Sequence, residues 1–262
     1  MREELQELWK YRELLLMIAY RDIKVRYKQS IMGFMWAILM PILIVMSGIV
    51  VRYAYALAGH SRLEINDIVG VAVKSLPWAF LVSSIRFGGN SLILGNRELV
   101  TKIYFPKEIF PLAAVLSSLF DLVVASGALV AILAVLRTHL SVNLLWVPLL
   151  LLVLIALASG ISMLISASSL FFRDVKFLVE VLLTFGIFFT PVFYDVRMFG
   201  DRGKWLLVNP VAPLLEGLSA CVMRQPSPGF AWLAYSVCFA VASLLGGYIF
   251  FKHLEPMFAE SI

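Results

Sequence analysis

Few residues in this chain are of types that do chemistry, and their spacing excludes most of it. His60, His139 and His253 are the three histidines, and none has a partner at metal-ligand spacing. Cys221 and Cys238 do not form a disulfide or metal framework, and Cys238 lies inside an apolar run where a buried free thiol is expected. The one Gly-Lys pair, Gly203-Lys204, is followed by Trp205, so the phosphate-cradling Gly-x-x-x-x-Gly-Lys-Ser/Thr loop is absent and the chain does not hydrolyse ATP by that chemistry. No Gly-x-Ser-x-Gly elbow occurs either. One ionisable residue does stand out. Asp121 interrupts an otherwise apolar run from Ile109 to Leu136. A carboxylate at such a place is costly and usually faces a partner inside the protein. A structural intramembrane ion pair is expected, with Lys74 and Arg86 of the preceding apolar run as candidate partners.

The elements that carry these residues are apolar throughout. The chain has 262 residues, 61% of them hydrophobic and only 15% charged. A helix needs about 20 apolar residues to cross a bilayer. Six segments qualify: Ile31–Tyr55, Ile68–Ile85, Ile109–Leu136, Leu144–Leu170, Phe177–Phe193 and Phe230–Phe251. The expected fold class is an all-α membrane protein of six transmembrane helices. The net charge of +5 is no nucleic-acid signal, because the basic residues sit at the ends of apolar runs. No cleavable signal peptide is expected, since Leu14–Ala19 is too short an apolar patch.

An even number of spans puts both termini on one side. If that side is cytoplasmic, 14 of the 22 Lys and Arg residues lie inside, as the positive-inside rule requires. Residues 1–30 form a separate unit. Between Glu4 and Lys28, Leu5, Leu8, Trp9, Leu15, Leu16, Ala19, Ile23 and Tyr27 recur at helical spacing, with Lys and Arg on the other faces. That pattern fits an amphipathic helix in the cytoplasmic interface; a helix packed on a soluble partner is the alternative. Residues 31–262 form the membrane body, with an inner loop at about 91–108 and an outer segment at about 193–228. Pro191, Pro210 and Pro213 break regular helix in that outer segment, so short re-entrant helices are expected there between spans five and six.

Four motifs occupy the joints. Arg21-Asp22-Ile23-Lys24-Val25-Arg26-Tyr27-Lys28-Gln29-Ser30 runs into Gly33-Phe34-Met35-Trp36. Asn96 to Pro111 is an inner loop with alternating charges and a Tyr104-Phe105 pair expected to be exposed, and aromatics in a polar rim act as partner anchors. Phe171 to Lys176 is a tight inner turn, and Thr190-Pro191-Val192-Phe193-Tyr194 ends the fifth span.

In this order the motifs resemble the membrane subunit of ABC transporters that export polysaccharides. The superfamily is the type-two exporter permeases, and the branch is the O-antigen and teichoic acid exporters. The resemblance runs from Arg21 to about Phe258, and Leu254 to Glu260 is similar to the family's cytoplasmic tail. It implies a homodimer in the bacterial cytoplasmic (inner) membrane. Two copies of a separate nucleotide-binding ATPase would bind ATP and Mg, with no cofactor in this chain. The homodimer would form a channel for a lipid-linked polysaccharide. It further implies that Arg97, Lys102, Tyr104, Phe105, Pro106, Lys107 and Glu108 couple to the ATPase. Arg21, Lys24, Arg26 and Lys28 would face an anionic lipid head group at the lateral access route. Trp36, Tyr53, Trp78, Phe80, Phe189, Phe193 and Tyr194 would line the channel near the outer halves of spans one, two and five. The outer segment would act as its gate.

Two physical arguments point the same way. Six helices from one chain rarely enclose a pore wide enough for a sugar chain, and this chain carries no energy source. An exporter of a drug or small lipid in the same superfamily is the nearest alternative. A secondary transporter would show coupling-ion carboxylates in broken helices and an internal repeat, and neither is evident.

Overall fold

A computed structural model describes residues 2–28, 33, 35–58, 65–93, 105–135, 142–223 and 226–258. Among them every regular element is a helix. Two helices precede the membrane body, α1 (Arg2–Lys10) and α2 (Arg12–Lys28). The body follows as α3 (Met35–Ala58), α4 (Ile65–Gly89), α5 (Ile109–Val135), α6 (Val147–Phe171), α7 (Asp174–Phe189), α8 (Val211–Met223) and α9 (Phe230–Leu254). Short 3-10 helices occupy Val142–Trp146, Val196–Val208 and Glu255–Met257.

The all-α membrane fold is as expected. The helices α3, α4, α5, α6 and α9 are each long and apolar enough to cross a membrane. The expected short fifth span, Phe177–Phe193, lies a few residues earlier in the chain. It is α7, with only 16 residues, or about 24 Å of helix at 1.5 Å per residue. That falls short of a bilayer core of about 30 Å. The cause is local. Thr190 turns to an extended conformation and Pro191 cannot continue the ladder, so the chain leaves the helix before Phe193.

Small residues set the main helix contacts, as they do where lipid cannot drive association. The most extensive pairing is α6 with α9. At its crossing a Cβ on Gly160 would lie 2.4 Å from the Ser243 carbonyl carbon, and one on Gly247 would lie 2.3 Å from the Gly160 oxygen. Hydroxyls hold α4 to α6. Ser162 Oγ donates to the Ser84 carbonyl at 3.0 Å, and Ser169 Oγ donates to the Gly89 carbonyl at 2.7 Å.

Two main apolar clusters result. The larger surrounds Trp78, Phe80, Leu154, Leu157, Leu214 and Leu215. The other lies at the end of the bundle near α2, here called proximal, and joins Ile18, Ala19, Phe105, Phe110, Phe251 and Phe258. By contrast α3 is mostly uncovered and α7 has no buried residue at all. Cys238, expected to be buried, lies exposed on α9. The expected N-terminal helix is broken at Tyr11 into α1 and α2. One side of α2 buries Ile18 and Ala19, while Trp9 of α1 and Leu16, Met17, Tyr20 and Val25 of α2 stay exposed.

Candidate functional site: a side cleft between two charged clusters

A half-open cleft of about 430 Å³ lies between α3, α4, α5 and α7. Trp36, Met40, Pro41 and Ile44 come from α3; Trp78, Phe80, Ser83 and Arg86 from α4; Ser118, Asp121 and Leu122 from α5; Leu183, Thr184 and Ile187 from α7. Arg26 and Tyr27, at the end of α2, complete its lining. The wall is thus apolar and aromatic, with hydroxyls and guanidinium groups set into it.

Asp121 is the acid of this cleft. It forms an ion pair with Arg26 and accepts a hydrogen bond of 2.5 Å from the Tyr27 hydroxyl. Arg26 also donates to Ser117 Oγ at 3.1 Å, and its guanidinium sits 4.1 Å from the Phe87 ring centroid. Burial, and then the bond to Asp121, push the Tyr27 hydroxyl above the ordinary tyrosine value, so it remains a donor. The expected partners, Lys74 and Arg86, are corrected here. Lys74 sits at the opposite, distal end among other acids. Arg86 pairs with Glu180 of α7 at 2.5 Å. The actual partner comes from α2, a helix outside the apolar spans, and sequence spacing gives no sign that its end reaches α5.

The four basic residues expected to face a lipid head group therefore split. Arg26 is committed to Asp121. Arg21 pairs with its neighbour Asp22 at 2.8 Å. Lys24 and Lys28 are exposed, Lys24 with its ammonium 4.4 Å from the Tyr20 ring centroid.

The expected aromatic set also divides. Trp36, Trp78 and Phe80 line the cleft, but Trp36 sits in the first turn of α3, beside α2 and not at the distal end. Tyr53 is exposed toward the other end of α3, and Phe189 is 71% exposed at the end of α7. Phe193 is buried against Gly48. The Tyr194 hydroxyl donates to the Phe188 carbonyl at 2.8 Å, and its ring meets Phe199 edge-on at 5.4 Å. The grouping near the outer halves of three spans is thus not what the fold builds.

Arg97, Lys102 and Tyr104 lie outside the described residues. Phe105, expected to be exposed, is buried and packs edge-on to Phe110 at 5.4 Å. The reason is the C-terminal segment, which returns Phe251 and Phe258 onto the same cluster. Pro106 is buried too, and Lys107 is half-buried with its ammonium 5.8 Å from the Phe258 ring centroid. Glu108 is buried and paired with Lys252 at 2.9 Å, and Lys252 also holds Glu255 at 2.9 Å. Burial pushes the Glu108 carboxyl above its usual range even beside that lysine. A polar cavity of about 330 Å³ opens here, lined by Glu7, Phe105, Pro106, Lys107, Lys252, Glu255 and Pro256.

The distal end carries a cluster that sequence reasoning missed. Arg52 of α3 binds Asp67 at 2.8 Å and Asp195 at 2.5 Å. Lys74 of α4, 1% exposed, binds the other Asp195 oxygen at 2.6 Å, Glu216 of α8 at 3.3 Å and the Tyr194 carbonyl at 2.6 Å. Glu216 also accepts the Val196 backbone N–H at 3.2 Å. Burial raises the Asp195 pKa, but Lys74 and Arg52 outweigh it and hold the carboxyl below its ordinary value. A usable signal was present. Lys74 and Glu216 each stand alone in an apolar segment, and opposite charges in such places seek one another.

Among the described residues no group of His, Cys, Asp and Glu could hold a metal ion. What the arrangement offers is an apolar, aromatic cleft with hydroxyl and guanidinium groups set into it. The comparisons give the family. O-antigen export system permease protein RfbA of Myxococcus xanthus is 26% identical over 260 residues, covering 98% of each chain. A Klebsiella pneumoniae protein of the same name is 28% identical over 208 residues, 78% of this chain and 77% of the relative. A second one from that organism is 27% identical over 253 residues, 95% and 94% of the two chains. The family described as ABC-2 type transporter matches residues 13–223. Matched over most of its length, the chain belongs to the ABC-2 type transporter family.

Proposed function

We propose that this chain is the transmembrane subunit of an ATP-driven exporter of polysaccharide, acting as a homodimer with two copies of a separate ATPase. The polymer would cross the bacterial cytoplasmic membrane while linked to a lipid. The side cleft carries the reading. It combines aromatic faces for sugar C–H groups, hydroxyls for hydrogen bonds and guanidinium groups, and it is lined in part by α3 and α7, whose outward faces are uncovered. A second copy set against those faces would close a channel around it. The O-antigen export named in three relatives supports the polymer class.

Under this reading the proximal end faces the cytoplasm. The segment at about 91–108 couples to the ATPase, and the cavity lined by Lys107 and Lys252 lies on that side of the bundle. The exposed apolar side of α2 sits in the interface, with Lys24 and Lys28 free for anionic head groups. The distal segment forms the outer gate.

One complementation experiment tests the assignment. The chain and its ATPase are expressed in cells that make lipid-linked polymer but lack their own exporter. Polymer should reach the surface, and an ATPase-dead pair should leave it inside. Surface polymer absent while a drug or small lipid is expelled would overturn the substrate class. In the same cells, cysteine at Arg202 should react with an impermeant thiol reagent from outside and cysteine at Arg173 should not. The opposite pattern would reverse the orientation.

A further inference from the structure

The distal charge cluster holds two cations, Arg52 and Lys74, and three carboxylates, Asp67, Asp195 and Glu216. Four of these five groups belong to the helices α3, α4 and α8. Asp195 alone belongs to the chain that leads into the distal segment Val196–Val208. Each of its oxygens takes one cation, Oδ1 from Lys74 and Oδ2 from Arg52.

Each cation has another carboxylate waiting. Arg52 Nη2 is shared between Asp195 and Asp67, and Lys74 Nζ is shared between Asp195 and Glu216. The cluster has one carboxylate too many while Asp195 is in place. It becomes two cations against two carboxylates when Asp195 leaves. Breaking a buried ion pair is normally opposed because a charge is stranded without a partner. Here departure strands none, and Asp195 regains water.

The segment it would release bends at one kink, and its buried side rests on α8 and α9. Gly200 sits at φ +54°, a kink that an L side chain rarely adopts. Val196 and Leu207 pack with Ala212 of α8 and part of Trp232, a small cluster of its own. By contrast α8 is buried from Val211 to Ala220 and stays anchored.

We propose that Asp195 is a positioning residue, a latch that holds the distal segment Val196–Val208 down on α3 and α4 and lets it lift without leaving Arg52 or Lys74 unpaired. The claim concerns this segment alone and holds whatever the substrate is.

The test uses the full subunit with its ATPase in cells that make no polymer. Cys221 and Cys238 are replaced by Ala, and one new cysteine reports position. Leu207→Cys lies on the buried side of the segment, Val69→Cys lies on α4, buried against α5 and α8, and Trp205→Cys is already exposed. Adding Asp195→Asn should raise impermeant maleimide labelling at Leu207→Cys at least tenfold. Labelling at Val69→Cys and Trp205→Cys should stay within twofold, and Asp195→Glu should restore protection at Leu207→Cys. Should Asp195→Asn fail to accumulate, Arg52→Gln removes one of the two ties and should raise Leu207→Cys labelling severalfold. Unchanged labelling at Leu207→Cys overturns the latch. So does an equal rise at Val69→Cys, which would mean general loosening, and so does failure of Asp195→Glu to restore protection.

Discussion

Gly160→Ala is the sharpest test of how this bundle is held together. The added methyl would stand 2.4 Å from both the carbonyl carbon and the oxygen of Ser243 and 2.5 Å from the Leu244 nitrogen. All three are backbone atoms of α9, so no side chain can rotate aside. Ordinary contact begins near 3.4 Å, and α6 and α9 must therefore part by about 1 Å at their crossing. Overpacking of this kind costs about 1–3 kcal/mol. At about 2–4 °C per kcal/mol for chains of this size, the melting temperature should fall by roughly 2–12 °C. The assay is the fraction of monodisperse protein left after heating the detergent-solubilised complex. Gly246→Ala is the matched control, one residue before Gly247. A Cβ there meets nothing within 4 Å, and replacing a helical glycine gains about 0.5–1 kcal/mol. Equal melting of the two variants would refute the idea that glycine sets this crossing.

Two further substitutions separate packing from docking. Phe105→Ala empties a buried ring from the proximal cluster, which costs about 3–5 kcal/mol; the subunit should accumulate poorly even when expressed without its ATPase, whereas normal accumulation with lost ATPase recovery would return Phe105 to a docking role. Asp121→Asn removes the charge opposite Arg26 and should destabilise by about 3 kcal/mol, with the double change Asp121→Leu and Arg26→Leu closer to wild type; additive losses in thermal unfolding would deny the pairing.

The apolar spans could be read residue by residue because a bilayer imposes one length on all of them. Ile109 and Phe230 begin helices where the apolar runs begin. Failure came where local pattern meets tertiary placement. The fifth apolar run is visibly short and runs into Thr190-Pro191, but where along it the helix starts and stops was not legible. Phe105 reads as exposed beside Lys102 and Lys107, but the distant residues Phe251 and Phe258 cover it. Asp121 announced that it needed a partner but could not name one, since Arg26 lies 95 residues away. The distal cluster draws from four separate stretches of chain, and only the folded molecule shows them meeting.

The serine hydroxyls between α4 and α6 carry a consequence for movement. Ser162 holds the buried Ser84 carbonyl, and the Ser169 hydroxyl lies between the Gly89 carbonyl and the Ile165 carbonyl of its own helix. A slide of one turn, about 5.4 Å, would cost both bonds together. These two helices therefore form a stator, and α9 is keyed to it through Gly160. Any sliding of helices around the cleft falls to α3 and α7, which are the least buried of its walls.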